Sequence, residues 1–412
     1  MNEPLGRVPP HAINAMVSCH LARAEAYLAL VRRHGSPLYV LDRDALRACA
    51  RRFNAAFAAA MGHPIRVYYA MKSNNHPDVA RTLLACGVGL DVSSGRELRL
   101  ALDLQAESII FSGPGKTDAE LTLAVEHAAR VTVLIDSFAE LERLETLAAA
   151  RGVTVRAGVR LTVNPRGLWR KFGIPLANLG RFLSDADACG HVDLRGLQFH
   201  TSWNLDPSAQ TGFIRDLGET LRRLPAAQVA ALEFVDIGGG YWPESGEWLQ
   251  AGAPPDRRRD WKPAVPLERF AGSLSEAVAH HLPLREAAVC LEPGRWLCND
   301  GMHLLMTVVD RKAPDLVITD AGTNAVGWER FETDFFPVIN LTQPAGTEQV
   351  CDVHGCLCTP HDIWGYAYWG KSIAPGDVLL VPSQGAYTYS LRQEFIKPIP
   401  PVVPLDSAAS AE

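Results

Sequence analysis

Between residues 65 and 291, short apolar runs alternate with longer stretches whose apolar residues recur at three- and four-residue steps. The runs are IRVYYA (65–70), VGLDV (88–92), SIIFS (108–112), VTVLI (131–135), VRAGVRL (155–161), LRGLQF (194–199), LEFVDI (232–237) and AAVCL (287–291). Runs apolar at consecutive positions are buried on both faces, as in a parallel sheet covered by helices. The intervening stretches, DAELTLAVEHAA and FAELERLETLAAA among them, have the period of amphipathic helices. Eight such units predict an α/β fold, a (β/α)8 TIM barrel over residues 45–298. An open doubly wound sheet satisfies the same pattern, because periodicity alone does not close a sheet.

After Glu292 the pattern changes. HLLMTVVDRK, DLVITDAG, FFPVINLT, EQVCDVHG, GDVLLVPS and YTYSLRQEF read as strands joined by short turns. They predict a C-terminal β domain, a β-barrel or β-sandwich, over residues 299–400. Residues 1–44 form an N-terminal segment whose PLYVLD (37–42) is expected to pair with that domain. Residues 401–412, rich in Pro, Ala and Ser, read as a disordered tail.

Composition narrows the function classes. With 412 residues and a net charge of −6, the chain has no excess of basic groups for nucleic acid or an anionic membrane. No apolar run reaches the ~18 residues that span a bilayer. The opening MNEPLGRVPP lacks the apolar centre of a secretory signal. The nine cysteines are odd in number and scattered, which suits reduced thiols better than a disulfide framework. A cytoplasmic protein is expected.

In a barrel of this kind, functional groups gather where strands end and the following loops begin. Lys72 follows the first run, Asp91 ends the second, and Arg160 falls in the fifth. His200 follows the sixth, Gly238–Gly239–Gly240 the seventh and Glu292 the eighth. A lysine at a desolvated mouth can form a Schiff base, although a lone lysine more often marks an exit to solvent. Successive glycines can cradle a phosphate on backbone N–H groups, and a tight turn explains them equally well. Glu292 can hold a pyridinium nitrogen protonated or pair with Arg295. His200 can stack on an aromatic cofactor or serve as a structural histidine. Taken together, lysine, phosphate cradle and pyridinium partner describe pyridoxal 5'-phosphate. CDVHGCLCTPHD (351–362) crowds its cysteines too closely for the paired spacing of a zinc site, so no metal is expected and Cys358 is read as a single functional thiol.

The motifs YYAMKSNNHPDV, LDVSSGRE, KFGI, DIGGGYW, LEPGRWL, DAGTN, CLCTPHD and GAYTYS, in that order, resemble those of the fold-type III pyridoxal-phosphate decarboxylases, the diaminopimelate and ornithine decarboxylase group. The resemblance covers residues 35 to 395. It implies that Lys72 is the Schiff-base lysine, that His200 stacks on the ring and that Glu292 faces its nitrogen. Gly239, Gly240, Gly294 and Arg295 are then phosphate-binding. Asp91, Arg160, Ser202 and Tyr387 support the cofactor, and Cys358 returns a proton to the α-carbon after carbon dioxide leaves. It also implies a homodimer in which the cysteine loop of one copy completes the lysine site of the other. Glu292 argues against the alanine-racemase branch, where arginine faces the ring nitrogen. The retained Lys72 and Cys358 argue against a non-catalytic regulator like the antizyme inhibitors.

The departures concern the substrate. Where the family places glutamate or aspartate after the cysteine, this chain has Thr359, and a hydroxyl gives a distal ammonium no charge-assisted bond. HTSW stands for the family's His-x-Gly-Ser, which shifts Ser202 and adds the bulk of Trp203. GWERFETDFFPVINL brings Arg330 where an arginine–proline-to-tyrosine segment is expected. Arg330 and Lys171 are candidates to read a carboxylate, with Thr359, Trp203 and Tyr387 beside the substrate. The CTP loop and ERFETDFFPVINL look like those of siderophore-pathway decarboxylases of the staphyloferrin B and vibrioferrin type, which act on a citrate-linked diamino acid. Antibiotic-pathway decarboxylases working on carrier-bound amino acids are similar there. The expected substrate is a citryl-diaminopropionate-like amino acid, with a free diamino acid of diaminopimelate or ornithine type as the alternative.

Overall fold

The computed structural model describes residues 6–251, 257–327 and 334–405 and divides the chain into two units. One comprises Cys49–Trp242 and Val265–Trp296. The other comprises Met1–Ala48, Pro243–Ala264 and Leu297–Glu412.

In the first unit eight strands close on themselves: β1 (Ile65–Ala70), β2 (Gly89–Val92), β3 (Ile109–Phe111), β4 (Val131–Ile135), β5 (Val155–Leu161), β6 (Val192–Phe199), β7 (Phe234–Asp236) and β8 (Ala288–Leu291). Every neighbouring pair is parallel, and β8 returns to β1 through Val289 opposite Ile65. The closed ring decides between the two topologies that the apolar runs allowed. Inside it, Tyr68, Ile110, Leu134, Phe234, Ala288 and Cys290 form one apolar cluster. Phe234 occupies room left by two glycines: a Cβ at Gly196 would lie 2.0 Å from its ring and one at Gly158 2.9 Å. The connecting helices start at side-chain caps. Ser94 accepts from Glu97 N, Ser137 accepts from Glu140 N, and Thr117 forms a reciprocal box with Glu120. These caps fix where each helix begins, and hence the length of each loop leaving a strand end.

The second unit holds an eight-stranded sheet in the order Leu316–Thr319, Glu348–His354, Ile363–Trp369, Val338–Asn340, Val378–Val381, Met302–Ala313, Leu38–Leu41 and Val402–Pro404. A further pairing of Leu316–Thr319 with Met302–Ala313 closes six of these strands into a ring. Leu38–Leu41 lies antiparallel beside Met302–Ala313. Helices Pro10–Leu21 and Ala24–His34 bring Ile13, Val17, Tyr27 and Leu30 into the same core as Leu305, Ile339 and Leu380.

Val402–Pro404, in the segment read as a disordered tail, is a strand paired with Leu38–Leu41, and three further features depart from the sequence expectation. YTYSLRQEF is not a strand: Tyr387 adopts φ 58°, a left-handed conformation incompatible with extended backbone, and a short turn follows at Tyr389–Leu391. Ile363–Trp369, not anticipated, is a strand in the middle of the sheet. The third feature is a three-stranded sheet of Gly6–Arg7, Arg258–Lys262 and Glu247–Ala251. Its EWLQA and RRDWK segments carry charges that hid the strand pattern. No helix among the described residues is long and apolar enough to cross a membrane.

The second unit buries two imidazoles edge to face, His20 and His303, with centroids 4.7 Å apart. His20 Nδ1 lies 3.1 Å from the Tyr27 hydroxyl, and His303 Nδ1 accepts from Ser383 N at 3.1 Å. Burial pushes His20 down to about 4, against the opposing charge of Asp300. Burial, then the charges of His20 and Arg23, push His303 well below its ordinary value. In the unfolded chain both titrate near 6.5, so acid favours unfolding. The stabilisation is complete above that value and is lost as pH falls from there toward 4. For His20 alone the loss is on the order of 3 kcal/mol. Denaturant titrations across this window should therefore show a falling midpoint with a shallower slope in His20→Gln; a flat profile in wild type would contradict the assignment.

Candidate active site

At the carboxyl end of the first unit's barrel the apolar interior gives way to charge. Lys72 sits in a single 3-10 turn, Met71–Ser73, directly after β1, and its Nζ donates to Asp91 Oδ2 at 3.1 Å. Asp91, in β2, is fully buried and takes a second bond from Ser112 Oγ at 2.7 Å. Burial pushes the Asp91 carboxyl up and the Lys72 ammonium pulls it back. Asp91 tethers the lysine amine while the side chain keeps 35% of its surface exposed.

Glu292, immediately after β8, is 1% exposed. Its Oε1 accepts from Gln198 Nε2 at 3.1 Å, and its Oε2 stands 3.2 Å from His200 Nδ1. Burial would raise this carboxyl, but the bond from His200 and the charges of His200, Lys72 and Arg160 outweigh it and bring it down to about 2. Glu292 is an anion across the physiological range. His200 Nδ1 also lies 3.2 Å from Gly239 N. A lone pair there accepts from Gly239, whereas a proton there donates to Glu292, so the tautomer selects between them. Burial lowers the imidazole, against the bond to Glu292 that raises it.

The glycine loop after β7 is pressed against both neighbouring strand ends. A Cβ at Gly239 would lie 2.1 Å from Glu292 O, and Gly240, at φ 83°, would place one 2.5 Å from Thr201 O. Asn204 pins the loop by donating to Gly239 O at 2.8 Å. Ser202 stands beside Gly240, and Gly294 packs on Ser73. Arg295 lies over the Trp242 ring at 4.2 Å, and the exposed Trp203 ring is 6.3 Å from Trp242.

Arg160, on β5, is held by KFGI. Its guanidinium lies 4.4 Å from the Phe172 ring centroid and 3.9 Å from Asp136 Oδ1, while Gly173 N donates to Asp136 Oδ2 at 2.9 Å. Gly173 has φ 66° and approaches Arg160 O so closely that a Cβ would sit at 2.6 Å. Lys171 has its Nζ 4.9 Å from the Phe172 centroid.

Comparison with known proteins bears directly on this arrangement. Residues 44–299, well over half the chain, match the family described as pyridoxal-dependent decarboxylase, pyridoxal binding domain. The chain belongs to the pyridoxal-dependent decarboxylases. It is 29% identical over 404 residues to a diaminopimelate decarboxylase of Mycobacterium tuberculosis, covering 89% of this chain and 85% of the relative. It is 26% identical over 388 residues to an L-glutamyl-(BtrI acyl-carrier protein) decarboxylase of Niallia circulans, covering 88% and 86%. A crystal structure of diaminopimelate decarboxylase from M. jannaschi superposes with a TM-score of 0.78 at 26% identity, covering 91% of this chain and 88% of that one. The decarboxylase is a carboxy-lyase that uses pyridoxal phosphate. The residues present fit that cofactor: an amine after the first strand, a buried carboxylate for the ring nitrogen, an imidazole beside it, and a loop from which every side chain is excluded by contact.

The remaining expected residues lie in the second unit or outside the described residues. Cys358 is exposed near the tip of the loop between strands Glu348–His354 and Ile363–Trp369, followed by the half-buried Thr359. The loop is closed by Asp362, which is buried and accepts from Leu357 N at 2.6 Å and Thr323 N at 2.7 Å. Tyr387 is half-buried in a left-handed conformation after Gly385. Arg330 lies outside the described residues.

Sequence reasoning missed Gln198, Asp136, Asp236 and Ser112. A signal existed for two of them: Gln198 and Asp236 are polar residues inside otherwise apolar strand runs, where burial demands a partner. For Asp136 and Ser112, both just past strand ends, only the neighbouring strand gives the reason.

Two outcomes check this geometry. With pyridoxal phosphate added, wild type should show a near-visible absorption band that Lys72→Ala lacks; an equal band in the variant would remove Lys72 from its role. Asp362→Ala strands two buried N–H groups at ~1–3 kcal/mol each, so thermal unfolding should shift downward while cofactor affinity is retained. An unchanged melting profile would show that the Cys358 loop does not depend on this carboxylate.

Proposed function

We propose that the barrel mouth of this decarboxylase removes the α-carboxylate of a free diamino acid of the diaminopimelate type. When bound, pyridoxal phosphate supplies the electron sink for the pair left as carbon dioxide departs. The observation that carries the reading is the buried Glu292, receiving Gln198 Nε2 and facing His200, which would keep the ring nitrogen protonated and the sink open. Lys72 would hold the cofactor, steered by Asp91. Gly239, Gly240, Ser202, Gly294 and Arg295 would bind its phosphate, with the His200 ring beside it and Arg160 in support. Cys358, on its exposed loop, would return a proton to the α-carbon. Its exposure suits service to the lysine site of a second copy in a homodimer, and its free thiol, like the other eight, suits a reducing compartment such as the cytoplasm.

The diaminopimelate decarboxylases among the relatives support a free diamino acid better than the citrate-linked substrate expected from the sequence. A second reading, a substrate whose distal amine is already blocked, keeps one observation in its favour. Thr359 offers no charge beside Cys358, and the nearby Asp362 is committed to backbone N–H groups. The relative named for a carrier-bound glutamyl group is consistent with this second reading.

Carbon dioxide release from diaminopimelate, ornithine and citryl-diaminopropionate should be measured side by side with the purified enzyme. Preference for diaminopimelate upholds the first reading. Turnover of the citryl compound alone would replace it with the second.

A further inference from the structure

The site buries more carboxyl groups than it has cations to match. Asp91 has Lys72 at 3.1 Å, Glu292 has His200 at 3.2 Å, and Asp136 has Arg160 at 3.9 Å. Asp236, the last residue of β7, is fully buried and makes no salt bridge among the described residues. The groups that face it are themselves acidic or weakly acidic. Glu292 and Asp91 act on it, and it in turn acts on Cys290, Tyr68 and Tyr241.

Besides Asp136 Oδ1, the two buried oxygens Asp236 Oδ2 and Gln198 Oε1 have no donor. The residues are register partners on adjacent strands, Gln198 on β6 opposite Asp236 on β7. Gln198 directs its Nε2 to Glu292, so both residues border the same carboxylate. Buried acceptors without a donor are rare in folded proteins, and a proton on Asp236 Oδ2 turns that oxygen into a donor toward Glu292. An ionised Asp236 would instead place a second uncompensated negative charge beside Glu292, in a region sealed from water.

We propose that Asp236 is held as a neutral carboxylic acid and is a positioning residue for Glu292. Its Oδ2–H supports the ionised Glu292, while its Oδ1 accepts from Gly238 N at 2.9 Å. The pair carries one proton. It rests on Asp236 because Glu292 already receives Gln198 and faces His200, Lys72 and Arg160. Burial and the Glu292 charge both raise the Asp236 carboxyl. The consequence bears on the cofactor reading above. A donor to Glu292 lowers its proton affinity, so in a pyridinium–carboxylate pair the proton stays on the ring nitrogen. Through Oδ1, the same residue sets the first N–H of the glycine loop, tying the anionic and phosphate-cradling ends of the site to one side chain.

Infrared difference spectroscopy of the cofactor-free protein tests the proton directly. Wild type minus Asp236→Asn at neutral pH should contain the carbonyl stretch of one protonated carboxylic acid, shifted in heavy water. Absence of that band overturns the proposal, and the measurement stands whether or not the assignment of cofactor roles is right. A second readout is pyridoxal phosphate affinity followed by fluorescence. Asparagine keeps both the acceptor and a donor, so Asp236→Asn should bind within about threefold of wild type. Asp236→Ala loses both and should bind about tenfold or more weakly. If Asp236→Asn is impaired as severely as Asp236→Ala, the residue acts as an anion and the inference fails. Should Asp236→Ala not fold, the spectrum and the Asp236→Asn affinity decide by themselves.

Discussion

The site depends on the cost of burying charge at the end of a parallel barrel. Asp91, Asp236 and Glu292 lose nearly all contact with water, and an isolated carboxylate in such surroundings is either neutralised or paired. Each of these groups finds its own solution, from a lysine, a histidine and glutamine, or a proton. The reactivity of the mouth follows from that distribution. Lys72 is oriented because Asp91 needs a cation, and Glu292 remains an anion because donors surround it. A single change of charge in this cluster is therefore felt by every other member.

The same constraint governs the framework around the mouth. Lys116, 4% exposed, donates to Gly113 O, Leu134 O and Glu140 Oε1, filling its three donor positions beneath the loops that follow β3 and β4. Asp136 spans Arg160 and the Gly173 backbone, so the KFGI segment and the β5 arginine hold one another in place. In the second unit Asp362 accepts from Leu357 N next to Cys358 and from Thr323 N, tying that loop to the Thr323–Ala325 turn. Lys116 and Asp362 are buried groups paired with the backbone around them, an arrangement that specifies one geometry rather than adding much net stability. Rigid surroundings suit groups that must be positioned within a fraction of an ångström for proton and carboxylate chemistry.

Much of this was legible in the order of residues. Eight apolar runs marked the eight barrel strands, VTVLI and VRAGVRL to the residue, because strands buried on both faces leave a pattern that needs no partner to interpret. Lys72, Asp91, His200 and Glu292 were legible for a related reason, since a polar group at the end of an apolar strand stands out locally. Less legible were segments whose character is set elsewhere. The hairpin of Glu247–Ala251 and Arg258–Lys262 is charged in sequence, and Lys262 pairs with Glu247 across it, a contact visible only once the strands face each other. Tyr387–Phe395 reads as a strand from its aromatic alternation but turns at a left-handed tyrosine.

The sequence by itself determined the parallel α/β class, the positions of the strand ends and the residue types available there, because hydrophobic period and polarity are local properties. Barrel closure, the pairing of each buried acid and the proton placed on Asp236 were decided only in the tertiary structure. Those depend on which strand lies beside which. Gln198 and Asp236 are 38 positions apart in the chain (236 minus 198), yet they share one register in the sheet. Electrostatic partnership is a matter of distances of a few ångströms between such residues, and no linear pattern encodes it.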